Sequence, residues 1–197
     1  MELTIIRHME ALLSAENQVL VAIDGNCTAG KTTLAARLAE CFDCNVFHMD
    51  DFFLRPEQRT AQRYAETGGN VDYERFRQEV LLPLKEGKAF SYRPFDCKTL
   101  TLRPPVAVVP KKCNIIEGSY SMHPYFGECY DLKIFLGIDP QLQELRVLER
   151  PAAVRQRFFD TWIPMENRYI GAFAIREGCD LAFLAKRDCT EAESVVG

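Results

Sequence analysis

An α/β fold of three layers, with helices on both faces of one central parallel sheet, is predicted by the order of elements in this chain. Short apolar runs that read as buried strands alternate with segments of helical periodicity. A glycine-rich loop joins the first such strand to the helix after it. The polar residues able to do chemistry follow strands, where right-handed crossovers bring strand ends to one sheet edge. The 197 residues suit a single domain, 1–197, with a small flap and a helical lid, and 47% hydrophobic content supplies its core.

The elements follow in order. Ile5, Ile6, Met9, Leu12 and Leu13 recur at helical spacing and predict an amphipathic N-terminal helix. Residues 18–24 contain Val-Leu-Val-Ala-Ile, a continuous run suited to a strand buried on both faces. A helix is expected over 31–42, with Leu34, Leu38 and Phe42 on one side, then a strand over 45–49. Residues 50–69 are polar and partly irregular. Phe76, Val80 and Leu84 mark a helix ending near Gly87 and kinked by Pro83. Residues 90–110, rich in Pro, Thr and Arg, read as a hairpin-like flap. Strands are expected over 113–117, 132–138 and 181–184. Asp139-Pro140 starts a helix as cap and first residue, with Leu142, Leu145 and Leu148 on its inner face. A further helix is expected over 151–163, and the arginine-bearing stretch 146–168 is read as the lid.

Bulk properties exclude several partners. A net charge of −4 lacks the phosphate-neutralising field of a nucleic-acid binder. The longest apolar stretch, 19–23, is too short to cross a bilayer, and no secretion signal is read at the N-terminus. No membrane or nucleic-acid partner is expected, localisation is expected to be cytoplasmic, and a homo-oligomer stays open. Eight cysteines, at 27, 41, 44, 97, 113, 129, 179 and 189, are scattered. Only Cys41 and Cys44 form a Cys-x-x-Cys, and His8, His48 and His123 add no zinc-like spacing. Free thiols in a reducing compartment are expected.

The glycine-rich loop is Gly25-Asn26-Cys27-Thr28-Ala29-Gly30-Lys31-Thr32, a Gly-x-x-x-x-Gly-Lys-Thr pattern between a strand and a helix. It predicts a P-loop, or Walker A motif, and a P-loop NTPase fold. The backbone N–H groups from Gly25 through Thr33 can curl around phosphate oxygens at a helix N-terminus. Lys31 can reach β- and γ-phosphates, and the Thr32 hydroxyl can meet Mg²⁺. A regulatory GTPase would need Asn-Lys-x-Asp and Asp-x-x-Gly; the first is absent, and the strand at 113–117 ends instead in Glu117-Gly118. Asp50, after the second strand in His48-Met49-Asp50-Asp51-Phe52-Phe53, suits a carboxylate that orients and deprotonates an acceptor hydroxyl. Glu117 ends an apolar strand, where an unpaired carboxylate would be costly and a hard cation would relieve it.

Taken in order, the P-loop, Met49-Asp50-Asp51-Phe52-Phe53, Asn70-Val71-Asp72 and Ile115-Ile116-Glu117-Gly118 resemble the uridine kinase family, within a group that includes phosphoribulokinase and pantothenate kinase. The resemblance spans residues 19–184 at the level of motif order. It implies an ATP- and Mg²⁺-dependent kinase for a small-molecule acceptor. By resemblance Asp50 is the catalytic acid beside the acceptor hydroxyl, Asp72 binds ribose hydroxyls, and Thr32, Glu117 and Asp50 surround Mg²⁺. Phe53 stands where the family often has a nucleoside-contacting tyrosine. The flap run Tyr92-Arg93-Pro94-Phe95-Asp96-Cys97 matches the family's Pro-x-Tyr-Asp-Phe-like run, which puts Tyr92 and Phe95 at the acceptor. No histidine follows, and residues 98–103 take its place. Family lids are arginine-rich, with Arg146, Arg150 and Arg155 as counterparts, and Arg168 can reach the acceptor. The acceptor stays open between a nucleoside and a sugar- or vitamin-like alcohol. A nucleotide-binding or hydrolysing regulatory protein with no acceptor is the competing class.

Overall fold

A computed structural model of the chain describes residues 1–186; Cys189 lies outside them. The first half begins with α1 (Glu2–Ala15), β1 (Val19–Gly25), α2 (Lys31–Cys41) and β2 (Cys44–His48). A 3₁₀ turn at Met49–Phe52 and α3 (Ala61–Ala65) lead to α4 (Tyr73–Phe76) and α5 (Leu82–Glu86). Four short strands follow: β3 (Phe90–Tyr92), β4 (Phe95–Asp96), β5 (Thr101–Leu102) and β6 (Val106–Val108). The second half has β7 (Cys113–Glu117), β8 (Leu132–Ile138), α6 (Pro140–Leu148), α7 (Ala152–Arg157), α8 (Ile163–Ala172) and β9 (Leu181–Ala185).

Five strands form one parallel sheet in the order β2-β7-β1-β8-β9. The chain leaves β1 for one side and later fills the other, so the strand order reverses at β1. In open parallel sheets, ligands bind beyond the strand C-termini at such a reversal. Successive side chains separate onto the two faces. Val19, Val21 and Ile23 of β1 join Cys113 and Ile115 of β7 against Ile5, Met9, Leu34 and Leu38 of α1 and α2. Leu20, Ile116 and Phe135 face the other way, against Phe47, Phe76, Val80 and Leu84. Burial of each such large side chain contributes about 1.5–3 kcal/mol, which holds two short helices to the sheet.

The expected flap is a two-tier hairpin. β3 pairs antiparallel with β6, and β4 with β5. Residues 73–86 run helically through a π-helical turn at Arg77–Leu81, where the Leu82 N–H reaches the Arg77 carbonyl. Pro83 has no N–H to continue the α pattern, and the wider turn before it absorbs that loss. Pro164 repeats the device. A π-helical turn at Phe158–Trp162 precedes it, so the helix expected over 151–163 continues to Ala172.

The inner face expected for α6 is corrected. Asp139 caps the helix as read, accepting the N–H groups of Gln141 and Leu142. The buried residues are Gln143 and Val147, whereas Leu145 and Leu148 are exposed. The helix turns a polar side chain inward because that side chain holds the glycine-rich loop. Strand β2 also ends one residue earlier than expected, at His48, which places Asp50 in the 3₁₀ turn. No helix among the described residues is long and apolar enough to cross a membrane.

Candidate active site

The loop between β1 and α2 begins at Gly25, with φ of 132°. A Cβ there would lie 2.0 Å from the Leu136 carbonyl oxygen, so strand β8 leaves room only for glycine. Thr28 adopts a left-handed φ of 63°, uncommon for a β-branched residue and frequent at binding loops. The loop is fixed from outside. Asn26 N–H donates to the Leu136 carbonyl at 3.1 Å. From α6, Gln143 Nε2 donates to the Cys27 carbonyl at 3.1 Å and Arg146 Nη1 to the Thr28 carbonyl at 2.7 Å. The N–H groups of Gly25, Asn26, Cys27 and Ala29 donate within the protein, which leaves those at the N-terminus of α2 for an anion.

Lys31 is buried at the centre. Its ammonium donates to the carbonyls of Gly25 and Asn26, each at 2.8 Å, and to Ser119 Oγ at 3.2 Å. The Thr32 hydroxyl lies 3.1 and 3.2 Å from the two carboxylate oxygens of Glu117, at the end of β7. His48 Nδ1 meets Glu117 Oε1 at 2.5 Å, and that hydrogen bond raises the imidazole above its ordinary pKa against the opposing effect of burial. Asp50 opens onto the same space. Crowding by protein, and then the Glu117 carboxylate, push its carboxyl above the ordinary range, while Lys31 pulls it back. Two carboxylates and a hydroxyl therefore converge beside the loop. That hard-oxygen set fits Mg²⁺, an ion that usually takes one or two carboxylates and leaves positions for phosphate and water. Among the described residues no three His, Cys, Asp or Glu side chains form a complete protein-only metal cage.

Asp24, just before the loop, ties the floor together. Its fully buried carboxylate accepts N–H groups from Gly25 at 2.7 Å, Tyr120 at 3.2 Å and Met122 at 2.9 Å. The Tyr169 hydroxyl donates to it at 2.7 Å. Burial raises its carboxyl pKa despite these donors. Gly118, with φ of 130°, brings the chain after Glu117 against Met49, where a Cβ would lie 2.8 Å from that of Met49.

Lys31, Thr32, Asp50, Glu117 and Gly118 face one cavity of about 580 Å³. Of the residues expected from sequence, it is lined by Cys27 through Thr33, Asp50, Phe53, Glu117, Arg146 and Arg150. Gly25 and Asn26 lie behind it and supply the carbonyls that hold Lys31. The other expected acceptor residues are not brought to its wall. Asp72 is buried, caps α4 through the Arg75 N–H, and lies 3.5 Å from Arg75 Nε and 3.7 Å from Arg55 Nη2. Tyr92 is buried among Phe47 and Phe52, and Phe95 is buried beneath the Arg59 guanidinium. Arg168 donates to the carbonyls of Tyr64 and Glu66. Arg155 donates to the carbonyl of Arg150 and does not itself line the cavity. The wall instead gains Asn70, Ser119, Tyr120, Phe158, Trp162 and Glu166. Position gives partial signals for some of these, since Ser119 and Tyr120 follow Glu117-Gly118 and Glu166 lies in a distinctive aromatic run. Gln143 carries no sequence signal.

No family model matches the sequence, and no curated protein matches it. Solved structures do match. A "possible uridine kinase" from Bacillus stearothermophilus aligns at 20% identity over 91% of this chain and 99% of that one, with a TM-score of 0.67. A protein assigned as a fructose transport system kinase from a Silicibacter species aligns at 23% identity over 93% and 98%, with a TM-score of 0.63. D-glycerate 3-kinase from Cryptococcus neoformans aligns at 12% identity over 94% and 93%, with a TM-score of 0.59. The likeness shows a shared α/β fold with a five-stranded parallel sheet.

Proposed function

We propose that this chain is an ATP-dependent kinase that transfers the γ-phosphate to a hydroxyl of a small molecule. The observation that carries the reading is the convergence of Lys31, Thr32, Glu117 and Asp50 on one cavity from the ends of three neighbouring strands. The kinase names of the three structural neighbours support it.

In this reading the loop N–H groups and Lys31 hold the β- and γ-phosphates, with Arg146 and Arg150 beside them. Asp50 aligns the acceptor hydroxyl for in-line attack and accepts its proton. The new bond joins the acceptor oxygen to the γ-phosphorus, the bond from the γ-phosphorus to the β,γ-bridging oxygen breaks, and ADP leaves. The raised pKa of Asp50 makes its carboxylate a better proton acceptor. Thr32, Glu117 and Asp50 would hold Mg²⁺, which would neutralise phosphate charge. Phe53, Phe158 and Trp162 add apolar wall to the cavity, and Asn70 adds an amide suited to hydroxyl groups.

A nucleoside is the first acceptor class, by resemblance. A sugar- or vitamin-like alcohol is the second, favoured by one observation: the Asp72 carboxylate, the ribose-binding acid by resemblance, is engaged by Arg75. Both classes are tested by ATP turnover with nucleosides, sugars and pantothenate-like alcohols. Asp50→Asn is expected to lower acceptor-dependent turnover by roughly 10²- to 10⁴-fold while ATP still binds. Turnover that needs no acceptor and is indifferent to Asp50→Asn would sink the kinase reading.

A further inference from the structure

Glu166, on α8, is 6% exposed, and the phosphoryl-transfer step gives it no role. A buried carboxylate is costly unless donors satisfy it. Its Oε2 accepts the N–H of Cys27, within the phosphate loop, at 2.8 Å. Its Oε1 accepts the Ser119 hydroxyl at 2.7 Å. Ser119 Oγ in turn accepts from the Lys31 ammonium at 3.2 Å. The two loop carbonyls take the other Lys31 N–H groups, so all three donors of that ammonium are engaged. Asn26 Nδ2 donates to Asn167 Oδ1 at 3.2 Å, so consecutive residues of α8 grip consecutive residues of the loop. Burial and then the Glu166 charge push the Cys27 thiol up, as expected for an anion held against that residue.

A phosphate entering this loop needs Lys31, and it meets a fixed negative charge beside the loop. We propose that Glu166 is an internal anion that competes with the triphosphate for the P-loop and thereby sets nucleotide affinity and the rate of ADP release. The inference rests on the nucleotide-binding half of the proposed function and does not depend on the acceptor. Because the carboxylate is tethered, it competes at a high effective concentration. Its repulsion grows with the number of phosphate charges and is weakly screened in a partly dry cleft.

Calorimetric titration of the full chain with MgATP, MgADP and adenosine tests this. Glu166→Gln preserves the shape and both contacts, since its amide oxygen can accept from Cys27 and its NH₂ can donate to Ser119. It is expected to tighten MgATP binding about tenfold, MgADP less and adenosine not at all, and to slow ADP release. Ser119→Ala breaks the relay to Lys31 but keeps the Glu166 charge, and is expected to tighten MgATP about threefold. Unchanged or weaker MgATP binding in Glu166→Gln overturns the proposal. So does equal tightening of adenosine, which would mark a change of shape and not of charge. If Glu166→Gln does not fold, absence of tightening in Ser119→Ala overturns it. Wild-type chain that binds MgATP but phosphorylates no acceptor defeats the kinase reading and leaves this inference standing.

Discussion

His123 should make the fold acid-sensitive between its unfolded pKa of 6.5 and its folded value of about 4. It is 8% exposed, and its ring lies between Tyr73, centroids 4.4 Å apart, and Tyr169, centroids 6.2 Å apart, with Phe173 edge-on. Its Nδ1 accepts the Tyr125 N–H at 3.2 Å, while Nε2 has no hydrogen-bond partner. The charged groups facing it are Arg63, Glu74 and Glu66. Burial, with help from Arg63 and against a raising contact from the Thr67 backbone, lowers its pKa from 6.5 to about 4. Between these values the unfolded chain binds the proton and the folded chain does not, so stability falls as pH falls. The loss amounts to about 2 kcal/mol by pH 5 and about 3 kcal/mol by pH 4. Urea unfolding of wild type and His123→Phe at pH 7.5, 6, 5 and 4 measures it. The phenyl ring keeps the stacking and loses the Tyr125 bond, so the variant should start less stable and overtake or approach wild type as pH falls. Parallel profiles for the two proteins, or a wild type that gains on the variant in acid, would refute the reasoning.

The other predictions concern the floor of the site. Gly25→Ala forces a Cβ to within 2.0 Å of the Leu136 carbonyl at a φ of 132°, and should destabilise the fold by at least about 3 kcal/mol and abolish ATP binding, read by thermal unfolding and calorimetry. Gly30→Ala has open space around the new Cβ and should cost only its backbone strain, about 1–2 kcal/mol. Tyr169→Phe removes one donor from the buried Asp24 carboxylate and should cost about 2 kcal/mol in urea unfolding. A loss under about 0.5 kcal/mol would mean that Asp24 does not depend on that hydroxyl.

The glycine-rich side of the cavity is legible in the sequence because its parts are local. Gly25, Lys31 and Thr32 belong to one loop between one strand and one helix, and Glu117 closes a short strand marked by Cys113, Ile115 and Ile116. The surroundings of the residues expected at an acceptor are not local. Whether Asp72 faces a ligand or Arg75 depends on an arginine three residues on and another, Arg55, from a separate loop. Arg168 is taken by carbonyls more than a hundred residues away. The α6 error has the same origin. Periodicity identifies leucines that could face inward, but Gln143 is drawn in by a carbonyl at Cys27 that no local pattern reveals. Glu166 is hidden likewise, because its partners lie on two distant loops.

The outward pinning of the loop carbonyls by Gln143 and Arg146 has a thermodynamic meaning of its own. A loop held only by its ligand must lose conformational freedom at the moment of binding, at about 1–2 kcal/mol per residue. Here α6 and strand β8 impose that order during folding, so a nucleotide would compete with the Glu166 carboxylate for the loop without having to order its backbone. The binding heat capacity then reports chiefly the surface covered by the nucleotide and any lid movement, with little contribution from ordering of the loop itself.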